Sequence, residues 1–460
     1  MFVLLFSALL ALASSSKTAK EMTTKEIFRN DPALRHISWG DDALKTGSPM
    51  NLHIMSDKGL KGMGAVCLDG SDAAFYFSPA SNADNTNNWQ IHFQGGGWCY
   101  DEIDCWGRSS QPGLGTSKGL QKFMNEGGLM SDDCTKNPEF CNFNRVHLVY
   151  CDGNSFSGDR NEPLVVTGLD GKQKPLYFRG KRIIEATLQT LLTLGLDKAE
   201  NVLLSGCSAG GLATFLHTDH VYNWLLSAKV PMKKFRSAPM SGFFLLHNTV
   251  DNKPVYPEQM KSIFELANST NGLNARCIAA QADEDKWKCN FAEMAYKYTQ
   301  APIFPLNSAL DSWQTGCIYT AEFVRGFPRQ HTKANGDCSA ASGWQACSGD
   351  PEKCNSTQMA VMNQYLKDFQ TNMMSKDTYK NVGNGAFIHS CHTHCEALHD
   401  QWNTIAVNGK TIQQAFSQWW HSAPQPASYH TYAPCTYNAE SMPHECNPTC
   451  GSASESSVMV

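Results

Sequence analysis

The stretch from Asn201 to Leu226 constrains this chain more than any other. Asn201-Val202-Leu203-Leu204-Ser205 has the length and apolar content of a buried strand, and Leu212-Ala213-Thr214-Phe215-Leu216-His217 opens a helix that runs on toward Leu226. Between them lies Gly206-Cys207-Ser208-Ala209-Gly210-Gly211, a turn with glycine on both sides of a serine. Such glycines let the backbone reverse so sharply that the serine hydroxyl projects from the strand end. The bland alternative is a glycine-rich turn with a solvated serine. The strand before and the helix after favour the reactive reading, with Ser208 as a nucleophile. Dinucleotide binding is disfavoured, because the required Gly-x-Gly-x-x-Gly spacing is absent here.

The rest of the chain repeats this alternation. Ala74-Phe75-Tyr76-Phe77 and Trp89-Gln90-Ile91-His92-Phe93 read as strands flanking the turn-forming Asn82 to Asn88, which predicts a hairpin. Val146 to Tyr150 is a third strand. From Arg179 to Leu194 the residues Ile184, Leu188, Leu191 and Leu192 recur at helical spacing, with Gly195 as the stop. A strand at Ile303 to Leu306 precedes Asp311. A helix from Gln358 to Phe369, capped by Ser356 or Thr357, follows, and Gly385 to His389 is the last strand. Strands alternating with helices predict an α/β fold of α/β-hydrolase type: a mostly parallel sheet covered on both faces. No repeat, low-complexity tract or linker divides the chain, so residues 17–460 are expected to form one domain with a cysteine-rich C-terminal segment.

Residues 1–16 form a short apolar run closed by small residues and read as a signal peptide, although no Lys or Arg precedes the run. Eighteen cysteines in 460 residues fit an oxidising compartment, where they pair as disulfides. The sequons at Asn268 and Asn355 agree with the secretory pathway. A net charge of −5 without a basic run argues against nucleic acid as a partner. No later stretch is apolar enough for a membrane anchor, so a soluble, secreted protein is expected, with a monomer favoured.

Acyl transfer needs hydrogen-bond donors for the developing oxyanion. Ala209, directly after the serine, offers one backbone N–H. The loop Gln94-Gly95-Gly96-Gly97-Trp98, directly after the strand ending at Phe93, offers others. A base and its orienting acid should follow the serine in the order Asp or Glu, then His. Pattern alone does not choose among the 15 histidines, but His394 lies a few residues beyond the last strand and Asp311 beyond the strand at Ile303 to Leu306. Cys391-His392-Thr393-His394-Cys395 also admits a zinc reading. That reading is the weaker one, because structural zinc sites pair two short ligand motifs and an oxidising compartment favours disulfides.

Six stretches in order carry a family resemblance. They are Gln94 to Cys99, Asn144 to Asp159, Phe178 to Ile183, Ala199 to Gly211, Leu306 to Gln314 and Ser390 to Cys395. On these the chain resembles the plant-type pectin acetylesterases, in the family that also includes the Notum carboxylesterase. The resemblance implies Ser208 as nucleophile, His394 as base, Asp311 as orienting acid, and Gly97, Trp98 and Ala209 as the oxyanion hole. It also implies disulfides Cys99 to Cys105 and Cys67 to Cys151, and neither metal nor organic cofactor. The substrate it implies is an acetylated polysaccharide such as pectin. A Notum-like deacylase of a lipidated secreted protein and a catalytically silent binding protein are the alternatives. The chain departs from the family pattern at His392, where plant members usually carry an aromatic residue. Cys435, Cys446 and Cys450 in the tail have no family counterpart.

Overall fold

The computed structural model describes residues 49–55, 62–322, 340–375, 381–432 and 447–450. The expected signal peptide, Cys435 and Cys446 lie outside the described residues. Ten strands form one sheet. In chain order they are β1 (Met50–Ile54), β2 (Ala74–Ser78), β3 (Asn88–Phe93), β4 (Phe123–Met124), β5 (Asn144–Leu148), β6 (Asn201–Cys207), β7 (Lys234–Met240), β8 (Leu306–Ser308), β9 (Ala386–His389) and β10 (Thr431–Tyr432). Their spatial order is β10-β9-β8-β7-β6-β3-β5-β2-β1-β4. All pairings from β10 to β5 are parallel, and β2, β1 and β4 complete one edge in antiparallel fashion.

The hairpin expected from β2 and β3 does not form. β5 inserts between them, antiparallel to β2 and parallel to β3. The turn signals at Asn82 to Asn88 are real, since Asn82 caps a short 3₁₀ turn there, but a turn does not say which strand its neighbours will pair with.

β6 is buried on both faces, as a central parallel strand must be. Val202 and Leu204 join the larger core, whereas Leu203 and Cys207 face a second one built with Phe140, Phe304, Phe387 and Trp419. Helices α1 (Gly180–Thr193), α2 (Ala209–Ser227), α3 (Val255–Leu266), α4 (Ser356–Met373) and α5 (Ile412–His421) supply most of the helical cover. α5 places Ile412, Ala415, Phe416 and Trp419 in the second core. α4 begins two residues earlier than expected and is capped by Asn355, not by Ser356 or Thr357: the Asn355 side chain accepts from Gln358 N, and the Gln358 side chain returns the bond.

Seven disulfides lie among the described residues. Cys67 is joined to Cys151 and Cys99 to Cys105. Cys391 is joined to Cys450 and Cys395 to Cys207, so neither is available as a thiolate ligand. The tail cysteine Cys450 thus staples the end of the chain to the loop that follows β9. Among the described residues no helix is long and apolar enough to cross a membrane.

Candidate active site

The turn after β6 is built by contacts that only glycine permits. A Cβ on Gly206 would lie 2.2 Å from Gly210 O, and one on Gly210 would lie 2.0 Å from Phe93 O. The first turn of α2 therefore sits directly on the ends of β6 and β3. Ser208 at the apex has φ 60° and ψ −127°, a conformation that non-glycine residues rarely adopt. Strain of this kind costs on the order of 1–3 kcal/mol and persists only where the surroundings enforce it. Here Ser208 N donates to Met240 O at 3.0 Å, and Leu212 N donates to Ser208 O at 2.9 Å. The residue is 6% exposed.

The glycine loop after β3 closes over this serine. Gly95 would bring a Cβ to 2.9 Å from Ser208 Cβ and 2.5 Å from Cys207 O, so the loop and the turn are in contact. Gly97 has φ +59°, and its carbonyl accepts from Tyr150 Oη at 2.8 Å. Tyr150 Oη in turn accepts from Ser155 N at 3.0 Å. Ser155 Oγ accepts from Trp98 Nε1 at 2.7 Å and donates to Ala209 O at 2.8 Å. This buried relay braces Gly97, Trp98 and Ala209 as one unit. The bracing roles of Tyr150 and Ser155 escape a motif reading; the only signal for them is their place in the long family-like stretch Asn144 to Asp159.

Asp311 and His394 meet from two other strand ends. Asp311, three residues beyond β8, is fully buried, and its Oδ2 lies 2.8 Å from His394 Nδ1. Asp311 Oδ1 accepts from Trp313 N at 3.1 Å and Gln314 N at 3.0 Å, which fixes the carboxylate plane. His394 Nε2 is buried and makes no hydrogen bond among the described residues. Burial disfavours the charged imidazole, but Asp311 and, more weakly, Glu396 outweigh it and hold the His394 pKa above its ordinary value. His392 is engaged elsewhere, with Nε2 3.0 Å from Thr315 Oγ1.

The two halves of the site are joined covalently. Cys207 precedes Ser208, Cys395 follows His394, and the two cysteines form a disulfide with Cα atoms 5.7 Å apart. Behind the histidine loop, Glu396 pairs with His389 at 2.8 Å in a wholly buried contact. Burial alone would raise the Glu396 carboxyl; the His389 partner reverses that and holds it below its usual value. Ser241 Oγ donates to Glu396 at 3.3 Å and accepts from Cys395 N at 2.9 Å. Aromatic rings pack together beside the histidine: Trp98 lies on Phe244 at 5.0 Å, Trp313 at 5.6 Å and Tyr256 of α3 at 5.8 Å between centroids. Phe244 also lies 6.3 Å from His394. A separate surface cleft of about 480 Å³ beside Asp159, Lys181 and Asn271 contains none of Ser208, Asp311 or His394.

Comparison with known proteins agrees with this architecture. The Drosophila Wnt deacylase Notum has a solved structure that superposes with a TM-score of 0.66 at 20% identity, covering 88% of this chain and 100% of that one. Pectin acetylesterase 11 of Arabidopsis thaliana is 31% identical over 401 residues, covering 85% of this chain and 90% of that protein. Palmitoleoyl-protein carboxylesterase notum1 of Xenopus laevis is 25% identical over 451 residues, covering 95% of this chain and 81% of that protein. Residues 43–451 match the family model described as Pectinacetylesterase. The chain therefore belongs to the pectinacetylesterase family of carboxylic ester hydrolases.

Proposed function

We propose that the protein is a secreted serine esterase that removes O-acetyl groups from pectin or a related polysaccharide. In this reading Ser208 Oγ attacks the ester carbonyl while His394 Nε2 takes its proton. The alcohol leaves with a proton returned by the same nitrogen. Water activated by His394 then releases acetate from the acyl-enzyme. The backbone N–H groups of Gly97, Trp98 and Ala209 receive the oxyanion, and Asp311 holds the imidazole with its proton on Nδ1. The observation that carries the reading is the buried 2.8 Å contact between His394 Nδ1 and Asp311, with Nε2 left unpaired beside the covalently tied Ser208 turn.

The mutual packing of Trp98, Phe244, Tyr256 and Trp313 supports a short acyl group, since these rings fill space that a long chain would need. The seven disulfides support an oxidising, extracellular setting. One catalytic unit spanning residues 17–460 fits a sheet whose strands run from Met50 to Tyr432. Acetate release from acetylated pectin, measured with fluorophosphonate labelling of the same preparation, tests the proposal. Both should vanish in Ser208→Ala. Labelling of Ser208 without acetate release would refute the substrate, and absence of labelling would refute the nucleophile.

A further inference from the structure

A second cluster of chemistry-bearing side chains lies in the sheet beneath the glycine loop. His92 on β3 and His147 on β5 are directly paired in register, and both are buried. Glu126, two residues after β4, reaches in from the sheet edge. One ligand atom from each of the three lies within 4.8 Å of the others. We propose that His92, Glu126 and His147 bind a divalent transition-metal ion, zinc by preference, which pins the segment after β4 to the central strands.

The geometry suits a ligand set as well as an ion pair. His147 Nδ1 lies 2.9 Å from Glu126 Oε1, an ion-pair distance, and has no well-aligned hydrogen-bond partner among the described residues. Glu126 Oε2 is also buried without a partner. His92 Nδ1 is 2.9 Å from Ser205 Oγ, an outer contact that fixes the ring and leaves Nε2 as the ligand nitrogen, as outer partners of metal-bound histidines do. Arg145, the fixed cation on the same face of β5, is taken up by Met130 O and by Asp132 at 3.3 Å.

Two imidazole nitrogens and one carboxylate oxygen suit zinc, with water in a fourth position. Such a set is also compatible with an oxidising compartment, in which thiolates are lost to disulfides. Glu126 keeps 13% side-chain exposure, which gives an ion a way in.

The site has a mechanical consequence. β4 pairs with β1 through only two residues, and the next anchors along the chain are Leu129 O, which accepts from Gln90 and Asn137, and Met130 O, which accepts from Arg145, so Glu126 sits between two fixed points. That segment carries Gly127 and Gly128, where a Cβ would lie 2.7 Å from Leu398 O and 2.0 Å from Ala397 O. The histidine loop therefore rests on backbone that the metal would anchor.

The test uses the full-length protein, purified without chelators and analysed for bound metal. A chelator-stripped sample is then titrated with Co²⁺ and with Zn²⁺. The expected result is about one metal per chain, visible ligand-field bands with Co²⁺ that Zn²⁺ abolishes, and a Tm rise of about 2–5 °C when Zn²⁺ is added at a hundredfold excess over its Kd. Glu126→Gln and His147→Asn should each weaken binding by at least about 100-fold, and Ser205→Ala by about 10–100-fold. Absence of Co²⁺ bands together with no Zn²⁺ effect on Tm in the wild-type protein overturns the proposal, whether or not the variants fold. Undiminished binding in folded Glu126→Gln or His147→Asn protein overturns it too, by placing the metal elsewhere.

Discussion

Replacing Asp311 by asparagine preserves shape, and the structure sets what it should cost. Asp311 Oδ1 accepts two backbone N–H groups, from Trp313 and Gln314, while Oδ2 faces His394 Nδ1. Asparagine has only one acceptor oxygen. If that oxygen serves the two N–H groups, the amide NH₂ faces Nδ1, the imidazole proton moves to Nε2, and the base can no longer accept from Ser208. If the amide flips to restore the correct tautomer, two buried N–H groups lose their acceptor, at about 1–3 kcal/mol each. The productive orientation is thus disfavoured by about 2–6 kcal/mol, a rate loss of about 30- to 3 × 10⁴-fold. Losing the negative charge that stabilises the imidazolium moves the loss toward the upper end, near the roughly 10⁴ seen when a triad aspartate becomes asparagine. The assay is kcat/KM for 4-nitrophenyl acetate and for acetylated pectin, with Tm as the folding control. A folded Asp311→Asn protein retaining more than a tenth of wild-type kcat/KM would refute the assigned role of this contact.

Four further outcomes follow from the same geometry. Ser208→Ala should abolish turnover with little change in Tm, and activity above a thousandth of wild type would move the nucleophile elsewhere. His394→Ala should be comparably severe and His392→Ala much milder, since His392 Nε2 is committed to Thr315; reversal of that order in steady-state kinetics would shift the base by two positions. His394 must be neutral to act and its pKa is raised, so activity should be low in acid, climb as pH rises, and reach half its plateau above about pH 6.5; a profile highest near pH 4 would contradict this. On a series of acyl esters, kcat/KM should fall steeply beyond about four acyl carbons, even though each buried methylene is worth about 0.8 kcal/mol, and a climb through eight carbons would point to a lipid deacylase.

The parts of the fold legible in the sequence are those governed by local rules. The strand, glycine turn and helix around Ser208 stand where Asn201 to Leu226 places them, although the contacts that require glycine there are only partly local: Gly206 meets Gly210 O, but Gly210 meets Phe93 O and Gly211 meets Met240 O. What local pattern could not supply is partnership across long separations. The β2–β3 hairpin failed on β5, which enters the sheet more than 50 residues after Phe93. Asp311 and His394 were reachable as residues beyond strand ends and the family resemblance implied their roles, but their contact depends on β8 and β9 being neighbours, which periodicity did not show. The Glu396–His389 pair and the Tyr150–Ser155 relay had no signal of their own, since a buried polar side chain looks in sequence like an exposed one.

The bond between Cys207 and Cys395 also sets a clock. At about 5–20 residues per second, the sequence separation of 188 between them takes about 10–40 s to synthesise. Throughout that interval the Ser208 turn exists without the tie to the segment that carries His394. A nascent chain released before His394 would carry Ser208 without the imidazole proposed to activate it, and one halted just after Cys395 could already close this bond, before Cys450 exists to pair with Cys391.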